Sequence, residues 1–304
     1  TGTKPTLAHR DMKIGIDDGS GYVDSGPSEF VAAVAILGAL TGEADDDVVT
    51  VTPGPALDAI NANSLAIIDG EIVRIDAFTQ NGSNVDITIG RGCLDTVPAP
   101  HIAGSWLIFL QLAEPMEAPT FLASETAAVK LVTRLTSSSL SLFLAPEDTV
   151  TFASRAIRPY PPGAMQINGS YAWDQFVTDA VVTWAHRDRT IQTTPIPEDA
   201  TASDIGPEAG TTYTLVAEAI DANRLPISTL DTAAMGTATS YDWDDATVLP
   251  DGTSRIRFTV TSERDGYESW QGATIELAVL FPPENLLVDL ITGGFSFSWT
   301  DANS

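Results

Sequence analysis

The sequence predicts an all-β chain of two domains, and three observations carry that prediction. Helix-favouring Glu and Lys number only 14 and 3 of 304 residues, whereas turn-favouring Asp numbers 27. Short apolar runs alternate with polar residues and are separated by Asp-Gly, Asn-Gly and Pro-Gly turns, the pattern of strands joined by tight connections. The length also exceeds the roughly 250 residues over which one hydrophobic core keeps growing.

Residues 1–28 are rich in Gly, Asp and Ser, show no sustained period, and read as an extended, loop-like leading segment that leans on something larger. Residues 29–154 read as a meandering β domain of roughly eight strands. The run from Phe30 to Leu40 is either a buried strand or a short helix, a choice its length leaves open. Val48 to Thr52 is a strand closed by Pro53-Gly54-Pro55, and Leu57 to Leu65 has room for one or two helical turns. Strands follow at Ser64–Asp69 and Glu71–Phe78 around the turn Asp69-Gly70, a strong local hairpin signal. Asn81-Gly82 then turns the chain into a strand whose Val85, Ile87 and Ile89 alternate with polar neighbours. The apolar stretches Ser105–Leu112, Ala128–Leu135 and Ser139–Ala145 complete this half.

Pro159, Pro161 and Pro162 mark a boundary, because prolines cannot donate to a ladder and hold the chain extended. Residues 155–280 then show seven candidate strands, the number and spacing of an immunoglobulin-like sandwich, with Trp184 and Val182 on one face of its second strand. Residues 281–304 repeat its opening: Pro161-Pro162 leads to Trp184, and Pro282-Pro283 leads to Trp299. Two strands cannot bury both faces, so this piece is expected to start a second module or to pair with other surface, including a partner chain.

Charge excludes several functions. Forty-one acids against 15 bases give a net charge of -26, which repels nucleic acid and anionic membranes. The longest apolar run, 11 residues, is short of the ~18 a spanning helix needs, so a membrane-spanning chain is not expected. No basic segment followed by an apolar one stands at the start, and no signal peptide is read there. Cys93 is the single cysteine, and His9, His101 and His186 are too far apart to suggest zinc.

Four groups could carry chemistry. Cys93, with Arg91 nearby and His101 eight residues on, has the residue types of a thiolate nucleophile, although a small buried hydrophobe is the plainer reading. Asp242, Asp244, Asp245 and Asp251 could gather around calcium, as could Asp45 to Asp47, but the spacing lacks the Gly of a calcium loop and both read better as solvated acidic turns. His186-Arg187-Asp188-Arg189 alternates in sign and reads as surface ion pairs, or as a contact with a partner. Asn81-Gly82-Ser83 and Asn168-Gly169-Ser170 match the glycosylation pattern, which their use as turns already explains. No catalytic, cofactor-binding or metal-binding residues are assigned, and no enzymatic activity is expected.

Seven stretches together carry a family resemblance: Ser64–Arg74, Arg91–Gly104, Lys130–Leu142, Arg158–Gly163, Thr183–Gln192, Gly206–Tyr213 and Ser262–Gln271. In this order they resemble the C-terminal region of tail-hub or tail-tip proteins of long-tailed bacteriophages and phage-like gene transfer agents, with fibronectin type III-like modules. The resemblance implies a hub-type domain at 29–154 and a fibronectin III-like sandwich at 155–280. It implies a homo-trimer in the virion tail tip, assembled in the host cytoplasm against tail-tube, distal-tail and fibre proteins and able to meet a host-surface receptor. Within this reading the acidic turns of the second domain would carry any adhesion. Two departures stand out: Phe258 replaces the strand-F tyrosine of many fibronectin-type domains, and the upstream ring-forming portion common in the family has no counterpart here. The alternative is an accessory adhesin, or a secreted carbohydrate-active enzyme with a fibronectin-like module.

Overall fold

The computed structural model describes residues 11–17, 19–28, 31–55, 57–111, 120–173, 179–192, 196–243, 247–279, 284–291 and 294–300. Its regular elements are all strands apart from one short 3-10 turn at Arg155–Ile157, as expected of an all-β chain. Ten strands precede the proline-rich boundary: β1 (Asp11–Asp17), β2 (Tyr22–Ser28), β3 (Ala33–Ala35), β4 (Val48–Val51), β5 (Ser64–Ile68), β6 (Glu71–Asn81), β7 (Asn84–Gly90), β8 (Trp106–Phe109), β9 (Thr126–Arg134) and β10 (Glu147–Thr151).

Six of these form a sheet in the order β3-β8-β5-β6-β7-β4. Its two edges meet where Ile36 bridges Val51 and Leu37 N donates to Thr50 O at 2.8 Å, so the sheet closes on itself and leaves little free edge. The period-2 pattern aims one face of each strand inward: Val73 and Ile75 of β6, Ile87 and Ile89 of β7, Ala66 and Ile68 of β5, Leu107 and Phe109 of β8. Asp69 and Gly70 both take positive φ, 47° and 100°, as a two-residue hairpin requires. The next hairpin turns on Gly82 and Ser83, one residue later than expected, because Asn81 still pairs with Asn84. Of the run Phe30 to Leu40, Ala33–Ala35 form the short strand β3, Phe30 lies outside the described residues, and Leu57 to Leu65 is not helical. That segment makes only turn bonds such as Ile60 N to Leu57 O at 3.1 Å, being too short to repay helix nucleation.

The described part of the leading segment, from Asp11 on, is not loop-like. Its β1 and β2 join β9 and β10 in a second sheet of order β10-β9-β1-β2, where β1 pairs with β9 along its whole length. The alternation Met12, Ile14, Ile16 is short and lies among glycines and acids, which hid the strand. Ile14, Ile16 and Ala127 form a small core there, and Phe121 stacks on Phe152 at 4.4 Å. Ser139 to Ala145 is likewise not a strand. Leu144 N and Ala145 N both donate to Ser141 O at 3.0 Å, a turn that leaves Phe143 89% exposed and delays pairing until β10.

The second half contains β11 (Gly163–Ile167), β12 (Val181–Ala185), β13 (Thr212–Ile220), β14 (Pro226–Gly236), β15 (Ser240–Asp242), β16 (Arg255–Arg264), β17 (Tyr267–Glu268) and β18 (Ala273–Ala278). Sheet β11-β12-β15 faces a five-stranded sheet in which β13 lies between β14 and β16, and β16 pairs onward with β17 and β18. This is an immunoglobulin and fibronectin III-like sandwich with antiparallel pairing throughout. Its core joins Val182 and Trp184 to Tyr213, Leu215, Phe258 and Ile275. Phe258 has no hydroxyl for a corner bond and instead meets Trp243 edge-on at 5.5 Å. Beyond the sandwich, β19 (Glu284–Ile291) and β20 (Gly294–Thr300) pair with each other, as β11 and β12 do. Trp299 falls on β20; side-chain placement there, and His9, lie outside the described residues.

Trp184 is 4% exposed between the sheets, and its Nε1 is buried with no hydrogen-bond partner. Trp184→Ala is expected to cost about 3–5 kcal/mol in chemical denaturation through the cavity it leaves. Trp184→Phe should cost less, since it also removes the unsatisfied donor; equal losses would show that the indole nitrogen does not matter.

Candidate functional site at the domain junction

The most strongly constructed part of the molecule lies where the closed sheet meets the sandwich, and it begins with a buried ion pair. Glu71 opens β6 with the same parity as Val73 and Ile75, so its carboxylate enters the interior. Arg91, 1% exposed, meets it with Nε to Oε1 at 2.8 Å and Nη2 to Oε2 at 2.9 Å, a bidentate pairing. The remaining Arg91 donors reach Thr41 O, Asp46 O and Ala99 O, and Glu71 also accepts from Gly92 N and Ala99 N. His101 closes the group, with Nε2 2.8 Å from Glu71 and Nδ1 3.1 Å from Asp69. Burial pushes the Glu71 carboxyl up, but the hydrogen bonds from His101 and Arg91 and the arginine charge outweigh it and hold the group below its ordinary value.

This arrangement separates the residues that looked like a nucleophile and base. Both nitrogens of His101 face carboxylates, while Cys93 Sγ lies 3.5 Å from Gly90 O. Burial pushes the Cys93 thiol up to about 12, which favours the neutral thiol.

The loop 91–99, pinned from beneath in this way, is the socket for the sandwich. Arg187 is buried and donates Nη1 to Gly92 O at 2.9 Å and Nη2 to Gln192 Oε1 and Glu198 O at 3.0 Å, with its guanidinium 5.5 Å from the Tyr160 ring. The group His186 to Arg189 is therefore not a set of surface pairs. His186 pairs with Asp204 at 2.8 Å, Asp188 caps its own turn through Thr190, and Arg189 meets the buried Glu208 at 3.0 Å.

Further bonds cross the same junction. Arg74 of β6 bonds Asp199 at 2.7 Å and Pro197 O at 2.7 Å, and Ala200 N donates to Arg91 O at 2.7 Å. Arg155 pairs with Asp95, Gln271 Oε1 accepts from Val97 N at 2.9 Å, and Glu43 Oε1 accepts from Trp173 N at 3.0 Å. The fit is close. A Cβ on Gly42 would stand 2.4 Å from the Trp173 ring, and the cavity left between the domains is about 20 Å³, room for about one water.

The other sequence candidates are structural in their own loops. Asp46 Oδ2 accepts from Thr41 N at 2.6 Å, and both ends of the Asn168 amide are engaged, with Val181 N and Asp179 O. Asn81 bonds Asp86 at 2.9 Å beside its turn. Asp242 ends β15; Asp244 and Asp245 lie outside the described residues, and among the described residues no acidic, His or Cys cluster suited to a metal forms. Sequence reasoning missed Glu71, Arg74, Asp199 and Gln271. For Glu71 and Arg74 a signal existed in β6, whose alternation places the glutamate on the core face and the arginine on the opposite one.

No protein-family model matches the chain, and no curated protein matches it. Among solved structures it is similar to the chicken CNTN1 FN1-FN3 domains, at 11% identity and a TM-score of 0.22, over 88% of this chain and 75% of that one. At that score the superposition carries no argument, and the sandwich assignment rests on the strand pairing above. Among the described residues no helix is long and apolar enough to cross a membrane.

Glu71→Gln should destabilise the chain by about 3–5 kcal/mol at neutral pH, because Arg91 then stays buried without its counter-charge. The pH profile separates this from a packing defect. A carboxyl held below its ordinary value stabilises the fold above about pH 4–5, and that stabilisation is lost as pH falls through the folded-state value. Denaturant midpoints from pH 7 down to pH 3 should therefore converge for the two chains. Parallel curves would show that the charge is not the cause.

Proposed function

We propose that this chain is a structural component of a phage or phage-like tail tip or baseplate hub, acting in tail assembly and host-surface contact rather than in catalysis. One observation supports the reading most. Five of the seven stretches that carry the sequence resemblance contribute to the junction: Glu71 and Arg74, Arg91 with Asp95, Tyr160 beside Arg187, Arg187 itself, and Gln271. In this reading the stretches that carry the resemblance include residues that fix one β domain against another, and a defined domain orientation is what a load-bearing subunit needs. The junction carboxylates Glu71 and Asp199 are engaged by arginines within the protein, an arrangement suited to holding position.

In this reading the chain is a homo-trimer at the tail tip, assembled in the host cytoplasm, in contact with tail-tube, distal-tail and fibre proteins. The test is made on particles purified from producing cells. Mass spectrometry should find the chain in a three-fold copy number, and labelled antibody should mark the tail tip. Particles that lack the chain altogether, or that carry it only on the head, would overturn the proposal.

A further inference from the structure

The small sheet of β1, β2, β9 and β10 carries an apolar projection beside a hollow. Between β9 and β10 the run Leu135 to Pro146 contains no charged residue. Its backbone is tied down on both sides of the tip. Leu140 N donates to Thr133 O at 2.9 Å, Arg134 bridges Ser139, and Leu144 N and Ala145 N share Ser141 O at 3.0 Å, with Ala145 buried. Between these ties the turn holds Leu142, Phe143 and Leu144 outside, at 40%, 89% and 68% exposure. A closed turn has already lost most of the backbone freedom that a docking loop gives up, so these side chains are prepared for a contact.

The hollow lies next to the tip. Lys13, Gly15, Tyr22 and Val132 of the sheet and Ser139 to Leu142 of the turn enclose about 310 Å³. Gly15 forms its floor, where a Cβ would stand 3.2 Å from Leu142 and 3.3 Å from Tyr22. Tyr22 is held as a wall by Lys130, whose ammonium stands 4.9 Å from the ring centre, and by its hydroxyl, which donates to Glu147. A cavity of about 150 Å³ already admits a benzene ring, so the hollow has room for a phenylalanine and a leucine side chain together.

The occupant follows from charge and from this pairing of shapes. A second copy also carries -26, and two such surfaces repel each other except where they meet through uncharged groups. Here the projection has no charge, and the one charged residue lining the hollow is Lys13, whose sign attracts an acidic copy. A lipid surface fits less well, because Glu147 and Asp148 follow the projection directly and the hollow would have no part in the contact. A cyclic assembly needs a contact in which two different patches of one subunit meet, and a projection beside a hollow supplies both. We propose that Phe143 and Leu144 of one copy enter the hollow of a second copy. The inference rests on the assembly reading only for bringing several copies together.

The test follows self-association of the full chain by sedimentation velocity between about 5 and 200 µM, in about 0.15 and 0.5 M salt. Association should appear and strengthen with salt, which screens the repulsion and leaves the apolar contact. Phe143→Asp removes the projection and Ser139→Trp fills the hollow from its rim; each should weaken association at least about tenfold. Mixed in equal amounts, the two variants should form a 1:1 complex, because Phe143 of the second can enter the intact hollow of the first. Both positions are exposed, and thermal melting checks the fold, with Phe143→Ser and Ser141→Trp replacing a variant that melts early. A parent that stays monomeric, a folded variant that associates like the parent, a mixture that stays separate, or a Phe143 variant that loses only binding to phosphatidylcholine vesicles would overturn the proposal. A chain found away from the tail tip would strike the assembly reading and not this contact, whereas a monomeric parent would strike the contact alone.

Discussion

The pairing of Glu71 with Arg91 is the constraint on which the two-domain architecture depends. A guanidinium and a carboxylate taken out of water both require nearly complete hydrogen bonding, and here each is satisfied by backbone groups of the segments it must hold in place. The pair therefore fixes the loop 91–99 from below. The upper side of that loop then offers Arg91 O to Ala200 and Gly92 O to Arg187, two carbonyls whose positions are set by the charges beneath them. Gly92 takes φ +56° with Pro98 packed where a side chain would stand, so the loop has little freedom to move while the pair is intact.

How far the sequence could be read follows from which interactions are local. Strands β13 and β16 are legible because each alternates apolar and polar residues over nine residues or more, and β5 with β6 because Asp69-Gly70 lies between them. The segment Ser139 to Ala145 misleads for the converse reason. Its Leu-rich pattern is that of a strand, yet turn bonds to Ser141 O close first and the apolar side chains remain outside. The candidate site was legible only in fragments. Arg91, Cys93, His101 and Arg187 were singled out, but their partners Glu71, Gly92 O and Glu198 O are distant in sequence or are backbone atoms, which no local pattern marks. Chemistry inferred from proximity, such as Cys93 with His101, fails because a turn and a strand edge aim the two side chains at different neighbours.

The distribution of charge gives the same division a physical meaning. Arginines are scarce, 12 in all; those at 74, 91, 155 and 187 are built into the junction, those at 189 and 264 meet the buried Glu208, and those at 224, 255 and 257 surround the buried Glu276. The surplus of acids is left to the exterior. The arginines at these places thus fasten acceptors within the protein, and the net charge of -26 sets the sign of the field around it.

An exterior of that kind affects how copies can approach each other. Exposed like charges repel at distances up to about 10 Å at 0.1 M salt, so association must rely on apolar or backbone contacts, on cationic partners, or on ionic strength high enough to shorten the range. The domain junction escapes that dependence. Arg187 and the Glu71–Arg91 pair are buried, and buried charges are screened far less than surface ones. Domains joined by a polar interface ordinarily move relative to each other. Here the charges are desolvated, each arginine is tied to several backbone carbonyls, and Trp173 fills the space that Gly42 leaves, so tilting one domain would strand ions in a medium unable to solvate them. The buried ions therefore constrain the angle between the closed sheet and the sandwich, and salt should weaken that constraint less than it weakens an exposed pair such as Arg155 with Asp95.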